Sequence, residues 1–159
     1  MRLAVCSIAA LLMLSACGDG GDTAPDQAAT PAPAPVTDAE KQARLTSLPA
    51  PYNAADLANG QRKFAMCRSC HTLTDGGSDM TGPNLHGLFG RKAATHGEYK
   101  YSEALKASGI TWDAPTLDKW VEGPREVVPG TKMAFAGIKD AKDRADLIGY
   151  LMAEAGPTS

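Results

Sequence analysis

The sequence lacks a basic excess, an apolar run long enough to span a membrane and any stretch with the alternating pattern of a β-strand. The 16 Lys and Arg against 18 Asp and Glu leave a formal net charge of −2, which gives no support for nucleic-acid binding. The longest apolar run, Leu3 to Leu14, is shorter than the roughly 20 residues of a membrane-spanning helix. The missing strand patterns predict an all-α protein.

Cysteine is also scarce, with four residues in 159. Four thiols can form two disulfides in an exported protein or contribute to a metal site in a cytosolic one. A chain of this length, 43% hydrophobic, can hold one compact domain and some additional segment. The N-terminal sequence is therefore needed to tell whether the protein is exported or cytosolic.

The N-terminus has the pattern of a secretory signal, because the basic start Met1-Arg2 precedes the apolar run. This run ends in Leu14-Ser15-Ala16-Cys17, which resembles the lipobox of bacterial lipoproteins. We therefore predict a signal peptide over 1–16 and a lipid anchor on Cys17, at the periplasmic face of a bacterial cell membrane. An ordinary signal peptide cleaved near Ala16 and an uncleaved anchor remain alternatives.

The segment 17–50 is rich in Pro, Ala, Gly, Asp and Thr and contains no aromatic residue. Such a composition does not supply a core, so we predict a flexible linker with a helical turn or two across Asp38 to Leu45. The globular domain is then predicted to occupy 51–159.

The clearest chemical motif is Cys67-Arg68-Ser69-Cys70-His71, the Cys-x-x-Cys-His pattern of a c-type haem attachment site. Two thiols about one turn apart can each form a thioether with one vinyl group of a porphyrin, and His71 then lies against the iron. The cysteines alone would also fit a thioredoxin-like pair or half of a zinc site. The adjoining histidine and the export signal favour haem.

A second iron ligand has to come from elsewhere, and Met133 in Pro129-Gly130-Thr131-Lys132-Met133 is the candidate. Histidine with methionine is the ligation of electron-carrying cytochromes. Methionine is more often core filler, and Met66 and Met80 are competing sulfurs that we expect at the surface.

Apolar spacing predicts a first helix from Asn53, its N-cap, to Met66 and a last helix from Ala141 to Ala155. Gly60 inside the first helix indicates that another element packs closely there, and we expect the two helices to cross. Shorter helices are predicted at Ser102–Ala107 and Ala114–Glu122. The long irregular segment 75–100 needs something to fill the interior, and haem would do so.

A resemblance to a known family rests on Gly60, Phe64 and the haem motif, together with several longer motifs. These longer motifs are Thr81–Arg91, Gly109–Trp112, Pro129–Met133, Phe135–Gly137 and Asp146–Leu151. Together they resemble class I cytochrome c of the mitochondrial type over about 55–155. The resemblance implies an all-α class I cytochrome c fold, in which the N- and C-terminal helices cross over a single covalent haem c.

The resemblance also implies roles for individual residues. The Pro83 carbonyl would accept the second ring N–H of His71, and Arg91, Tyr101 and Trp112 would hold the haem propionates. Thr131 lies beside the distal loop and Phe135 would cover the haem near its exposed edge.

Two positions depart from the family pattern: Trp120 stands where a tyrosine is usual near the methionine sulfur, and Leu105 replaces a usual asparagine. We expect Trp120 to contact the haem. We expect His86 and His96 to be exposed and assign them no role.

These observations predict a monomeric electron carrier, not an enzyme, that moves single electrons between a quinol-cytochrome c reductase complex and a terminal oxidase. The alternative is a peroxidase-like haem enzyme or a gas sensor, which would require displacement of Met133.

Overall fold

The computed structural model describes residues 35–158, and these residues form helices joined by turns and loops. Within this range there is no strand, only isolated bridges between Phe89 and Pro157 and between Lys92 and Thr111. The elements are α1 (Asp38–Thr46), a 3₁₀ turn (Tyr52–Ala54), α2 (Leu57–Phe64), α3 (Glu103–Ala107), α4 (Ala114–Glu122), α5 (Pro124–Val127) and α6 (Ala141–Ala155). The all-α prediction is confirmed.

The first helix of the predicted domain and the last helix do cross, and Gly60 lies at the crossing. A Cβ added to Gly60 would lie 2.5 Å from the Cβ of Tyr150 and would overlap the carbonyl oxygen of Asp146. Only glycine permits this approach of α2 to α6. The prediction that another element packs closely on Gly60 is therefore confirmed.

Helix starts are set by side-chain caps. Ser102, Asp113 and Asp140 each accept a hydrogen bond from a backbone N–H in the first turn of α3, α4 and α6. The predicted bounds of α4 and α6 agree with the structure, and α3 begins one residue after its predicted cap. The short helix α5 was not predicted, because its four residues are too few to show a periodic pattern.

The predicted start of α2 at Asn53 is wrong. Asn53 lies in the 3₁₀ turn, Ala55 is extended, and the helix begins only after Asp56, whose carboxylate accepts from the N–H of Asn59 at 3.0 Å. Asp56 is the better cap because an anion also interacts favourably with the N-terminal end of a helix.

The helical turns predicted across Asp38 to Leu45 are confirmed by helix α1, but the prediction of a flexible linker up to residue 50 is wrong for this part. Helix α1 starts with a capping box between Thr37 and Glu40, and Leu45 and Leu48 are buried. α1 packs on α6, where Lys41 Nζ lies 2.7 Å from Glu154 Oε1 and an Arg44 N–H donates to the Ala153 carbonyl at 3.1 Å. Within the described residues, the packed domain therefore includes α1 and begins before residue 51.

Cys17 and the predicted signal peptide lie outside the described residues. Of the helices within 35–158, none combines the length and apolar character needed to cross a membrane.

Candidate haem site

A cavity of about 340 Å³ lies between the Cys67–His71 turn, the 131–135 loop and helices α4 and α6. This volume falls within the roughly 300–1,000 Å³ typical of cofactor sites. Apolar side chains of α4 and α6, among them Leu117, Leu147 and Leu151, form part of its wall. All the residues predicted to bind the haem or its iron line this one cavity: Cys67, Cys70, His71, Pro83, Arg91, Tyr101, Trp112, Trp120, Thr131, Met133 and Phe135.

The two cysteines lie in a helical turn that continues from α2. The Cys67 N–H donates to the Phe64 carbonyl at 2.8 Å, and the His71 N–H donates to the Cys67 carbonyl at 3.0 Å. Cys67 and Cys70 are not joined in a disulfide, and burial, with a smaller contribution from Cys70, raises the pKa of the Cys67 thiol to about 11. A thioredoxin-like cysteine needs the opposite shift, so the raised pKa argues against that interpretation.

His71 is held in one tautomer. Its Nδ1–H donates to the Pro83 carbonyl at 2.7 Å, which leaves the Nε2 lone pair free to bind a metal. Burial lowers the pKa of His71, although the Pro83 hydrogen bond opposes this effect, so the neutral form that ligates iron is favoured. Gly82 makes room for the ring, since a Cβ there would lie 2.7 Å from His71 Nδ1.

The loop that carries Met133 is extended, and its residues alternate in exposure. Thr131, Met133 and Phe135 are half-buried and line the cavity, whereas Lys132 and Ala134 between them are exposed. The Met133 N–H donates to Thr131 Oγ1 at 3.3 Å. The competing sulfurs behave as expected: Met66 and Met80 are 49% and 48% exposed. Met133 is therefore the methionine best placed to be the second axial ligand.

Arg91 and Trp112 are brought together by backbone pairing. The Trp112 N–H donates to the Arg91 carbonyl at 3.0 Å and the Gly90 N–H donates to the Trp112 carbonyl at 2.8 Å. Burial lowers the pKa of Arg91 and raises that of Tyr101. No carboxylate within residues 35–158 lies within 4 Å of the Arg91 guanidinium. A half-buried cation without an anionic partner fits a haem propionate.

Trp120 and Leu105, the two residues that depart from the family pattern, both pack in the wall of the cavity. Trp120 meets Trp112 edge to face, with ring centroids 5.2 Å apart and planes at 62°, and it is 7% exposed. Leu105, 8% exposed, also faces the cavity. Both substitutions make this wall of the cavity more apolar.

Sequence reasoning missed three contributors. Tyr99 lines the cavity, its hydroxyl donates to the Thr81 carbonyl, and its ring packs edge to face on Tyr101 at 4.7 Å. Lys132 Nζ donates to the Lys100 carbonyl at 2.8 Å and links the two loops. His86 and His96 are both half-buried, and His96 contacts Arg91, so the expectation that these histidines are exposed is wrong. The Tyr99-Lys100-Tyr101 alternation could have indicated the first of these.

The family model of cytochrome c matches residues 57–154. The chain belongs to the cytochrome c family. It is 43% identical to a cytochrome c2 from Rhodomicrobium vannielii over 105 residues, covering 66% of this chain and 84% of the relative. It is 50% identical to a cytochrome c from Arabidopsis thaliana over 100 residues, covering 62% and 89%.

The fold agrees with a solved structure as well. Cytochrome cH from Methylobacterium extorquens matches with a TM-score of 0.58 and 44% identity, covering 61% of this chain and 97% of that one. The class I cytochrome c fold is therefore confirmed. This cytochrome c binds one covalent haem c and is an electron carrier that acts with redox partner proteins, not an enzyme.

When bound, the haem supplies a one-electron iron couple. Cys67 and Cys70 would hold it covalently, and His71 Nε2 and Met133 Sδ would be its axial ligands. The apolar wall excludes water and so disfavours extra charge in the cavity, which raises the reduction potential. Arg91 and Tyr101 would offset the burial of the propionates.

Proposed function

We propose that this cytochrome c is a lipid-anchored carrier at the periplasmic face of a bacterial cell membrane. In this proposal it moves single electrons between a quinol-cytochrome c reductase complex and a terminal oxidase. The observation that carries the proposal is the Leu14–Cys17 lipobox at the end of a secretory signal. Acyl chains on Cys17 would gain about 0.8 kcal/mol per buried CH₂, so two or three chains would hold the protein stably on a membrane.

The docking of α1 changes the predicted length of the tether. Because α1 packs on α6, the proposed tether covers residues 18–36 and not 18–50. As a flexible coil these roughly 20 residues would span about 25 Å root-mean-square, and about 60 Å as polyproline II. This reach still allows the domain to meet neighbouring complexes in the same membrane.

Helix α1, which follows the proposed tether, lies on a defined side of α6. Leu45 of α1 lies against Gly149, because a Cβ there would be 3.0 Å from Leu45 Cδ1. Leu147 and Leu151, each two residues from Gly149, face the cavity. Two residues correspond to about 200° around a helix, so α1 and the cavity lie on opposite sides of α6. Helix α1, the first described element after the proposed tether, therefore lies on the side of α6 away from the haem cavity.

The charge of the domain supports tethering as the means of finding partners. Residues 37–159 contain 15 Lys and Arg and 15 Asp and Glu, so the protein part has no net charge to steer long-range association. Met66 and Met80 add exposed apolar surface. Confinement of both partners to one membrane raises their effective concentration and compensates for weak steering.

The test compares wild type with Cys17→Ala in bacterial cells labelled with palmitate. We expect label and membrane association in wild type only, while the variant keeps its haem absorption spectrum. In membranes that contain the quinol-cytochrome c reductase complex and the terminal oxidase, electron flow through the variant should be lower than through wild type at equal cytochrome content. Equal labelling of both proteins would refute lipidation, and equal electron flow would refute the need for a tether.

A further inference from the structure

A closed ring of polar contacts joins four residues beside the haem cavity. Arg91 Nη1 lies 3.1 Å from His96 Nδ1, and His96 Nε2 lies 3.3 Å from Asp79 Oδ1. The Asn84 N–H donates to the same Asp79 oxygen at 2.8 Å, and Arg91 Nη2 donates to the Asn84 carbonyl at 3.2 Å. The ring thus connects residues 79–84 with the 91–96 loop.

The chemistry of arginine fixes the direction of these contacts. A guanidinium only donates hydrogen bonds, so His96 Nδ1 has to be the acceptor. The ring proton of neutral His96 then sits on Nε2, the nitrogen that lies 3.3 Å from the Asp79 carboxylate. His96 is therefore held in one tautomer, between a permanent cation and an anion.

The ring of contacts reaches the haem site at three places. Arg91 lines the cavity, as does Tyr101, whose hydroxyl lies near the backbone of His96. Asn84 directly follows Pro83, whose carbonyl accepts from His71. One histidine is thus connected to two predicted propionate ligands and to the support of the proximal ligand.

We propose that His96 is a positioning residue of the haem site and that its protonation couples the reduction potential of this cytochrome to pH. Neutral His96 accepts from Arg91 and holds the guanidinium at the cavity. Protonated His96 has no free acceptor on Nδ1 and carries a positive charge beside the guanidinium, so the Arg91–His96 contact is lost while the Asp79 contact is strengthened. Arg91 then keeps only its bonds to the carbonyls of His86 and Asn84.

The direction of the coupling follows from electrostatics. A positive charge on His96 disfavours the ferric state, which carries one more positive charge than the ferrous state. The potential is therefore higher when His96 is protonated and falls as pH rises through its titration. When one electron passes to the partner, His96 releases part of a proton to solvent, and it takes up the same amount on reduction. The charged or titratable groups that face it are Arg91, Asp79 and the Tyr101 hydroxyl.

The experiment measures the reduction potential of the full-length holoprotein from pH 5 to 9, for wild type, His96→Gln and His96→Leu. Glutamine offers an oxygen to Arg91 and an N–H to Asp79 but does not titrate. We expect His96→Gln to keep the high-pH potential of wild type and to lose its step with pH. His96→Leu should lose the step and also shift the high-pH potential, because Arg91 loses a partner.

The matched control is His86→Gln. His86 Nε2 faces Asp75 Oδ1 at 3.7 Å in the same way, yet its side chain does not contact Arg91, so this variant should retain the step. Nitrogen-15 NMR of the reduced wild type should show the His96 proton on Nε2. A step that persists in His96→Gln, or a proton on Nδ1 at high pH, would overturn the proposal.

Discussion

Gly60 of α2 lies so close to Asp146 of α6 that a Cβ on Gly60 would overlap the Asp146 carbonyl oxygen. Because this contact is with backbone inside a helix, the neighbour cannot rotate away. We expect Gly60→Ala to lower the free energy of unfolding by about 3 kcal/mol, although alanine is the better helix former. Denaturant titration of the holoprotein measures this change. Gln61→Ala, exposed on the same helix, is the control and should cost less than about 0.5 kcal/mol.

The side chain of the same Asp146 predicts a pH dependence of stability. Burial alone would raise its pKa, but hydrogen bonds from Lys142, Asn59 and the Asp56 N–H outweigh burial and hold the pKa below its usual value. A carboxylate with a depressed folded-state pKa contributes stability above its unfolded pKa, near 4, and loses it as pH falls through the folded value.

We therefore expect Asp146→Asn to be less stable than wild type by about 1–3 kcal/mol at pH 7. This difference should shrink as pH falls below about 4, because wild type loses the contribution that the variant never had. Unfolding free energies of both proteins at several pH values give the comparison. A difference that stays constant down to pH 2.5 would mean that the Asp146 charge adds nothing to stability.

The fold was largely predictable because its signals are local. Ser102 and Asp113 cap helices at the places that the sequence predicts, and Gly60 indicated the close approach of α2 and α6. The haem motif located His71, and the alternation around Met133 is visible in the structure. These features depend on residues within a few positions of each other.

Apart from the N-cap of α2, the errors concern contacts that form only when the chain folds. Leu45 is buried because it packs against α6 at Gly149, where the missing side chain leaves room for it. Gly149 lies 104 positions further along the chain, so no local pattern near Leu45 indicates this contact. His96 was assigned no role because its partners Arg91 and Asp79 approach only when the irregular loop folds. Such contacts follow from tertiary packing and not from spacing.

The docking of α1 can be tested through Leu45, which is 4% exposed. We expect Leu45→Ala to destabilise the holoprotein by about 2–4 kcal/mol and to increase hydrogen exchange across 38–48. Lys41→Ala should cost only about 0–1 kcal/mol, because both partners of its ion pair with Glu154 are partly exposed. Gln42→Ala, on the exposed side of α1, is the control. Rapid exchange across 38–48 in wild type would contradict the docking.

The distal ligand is the prediction on which the electron-transfer site depends. Met133→Ala removes the sulfur that reaches the cavity from the 131–135 loop, so we expect the ferric protein to lose its sulfur–iron charge-transfer band. The potential should fall, because a thioether ligand favours ferrous iron. Added imidazole should bind to the variant more tightly than to wild type, since the sixth coordination position of the iron is open.

Met80→Ala is the matched control. Met80 is 48% exposed, so the spectrum and potential of this variant should equal those of wild type. If Met133→Ala instead kept the charge-transfer band, another sulfur would have to be the ligand. Met66 would then be the candidate, because it also borders the cavity.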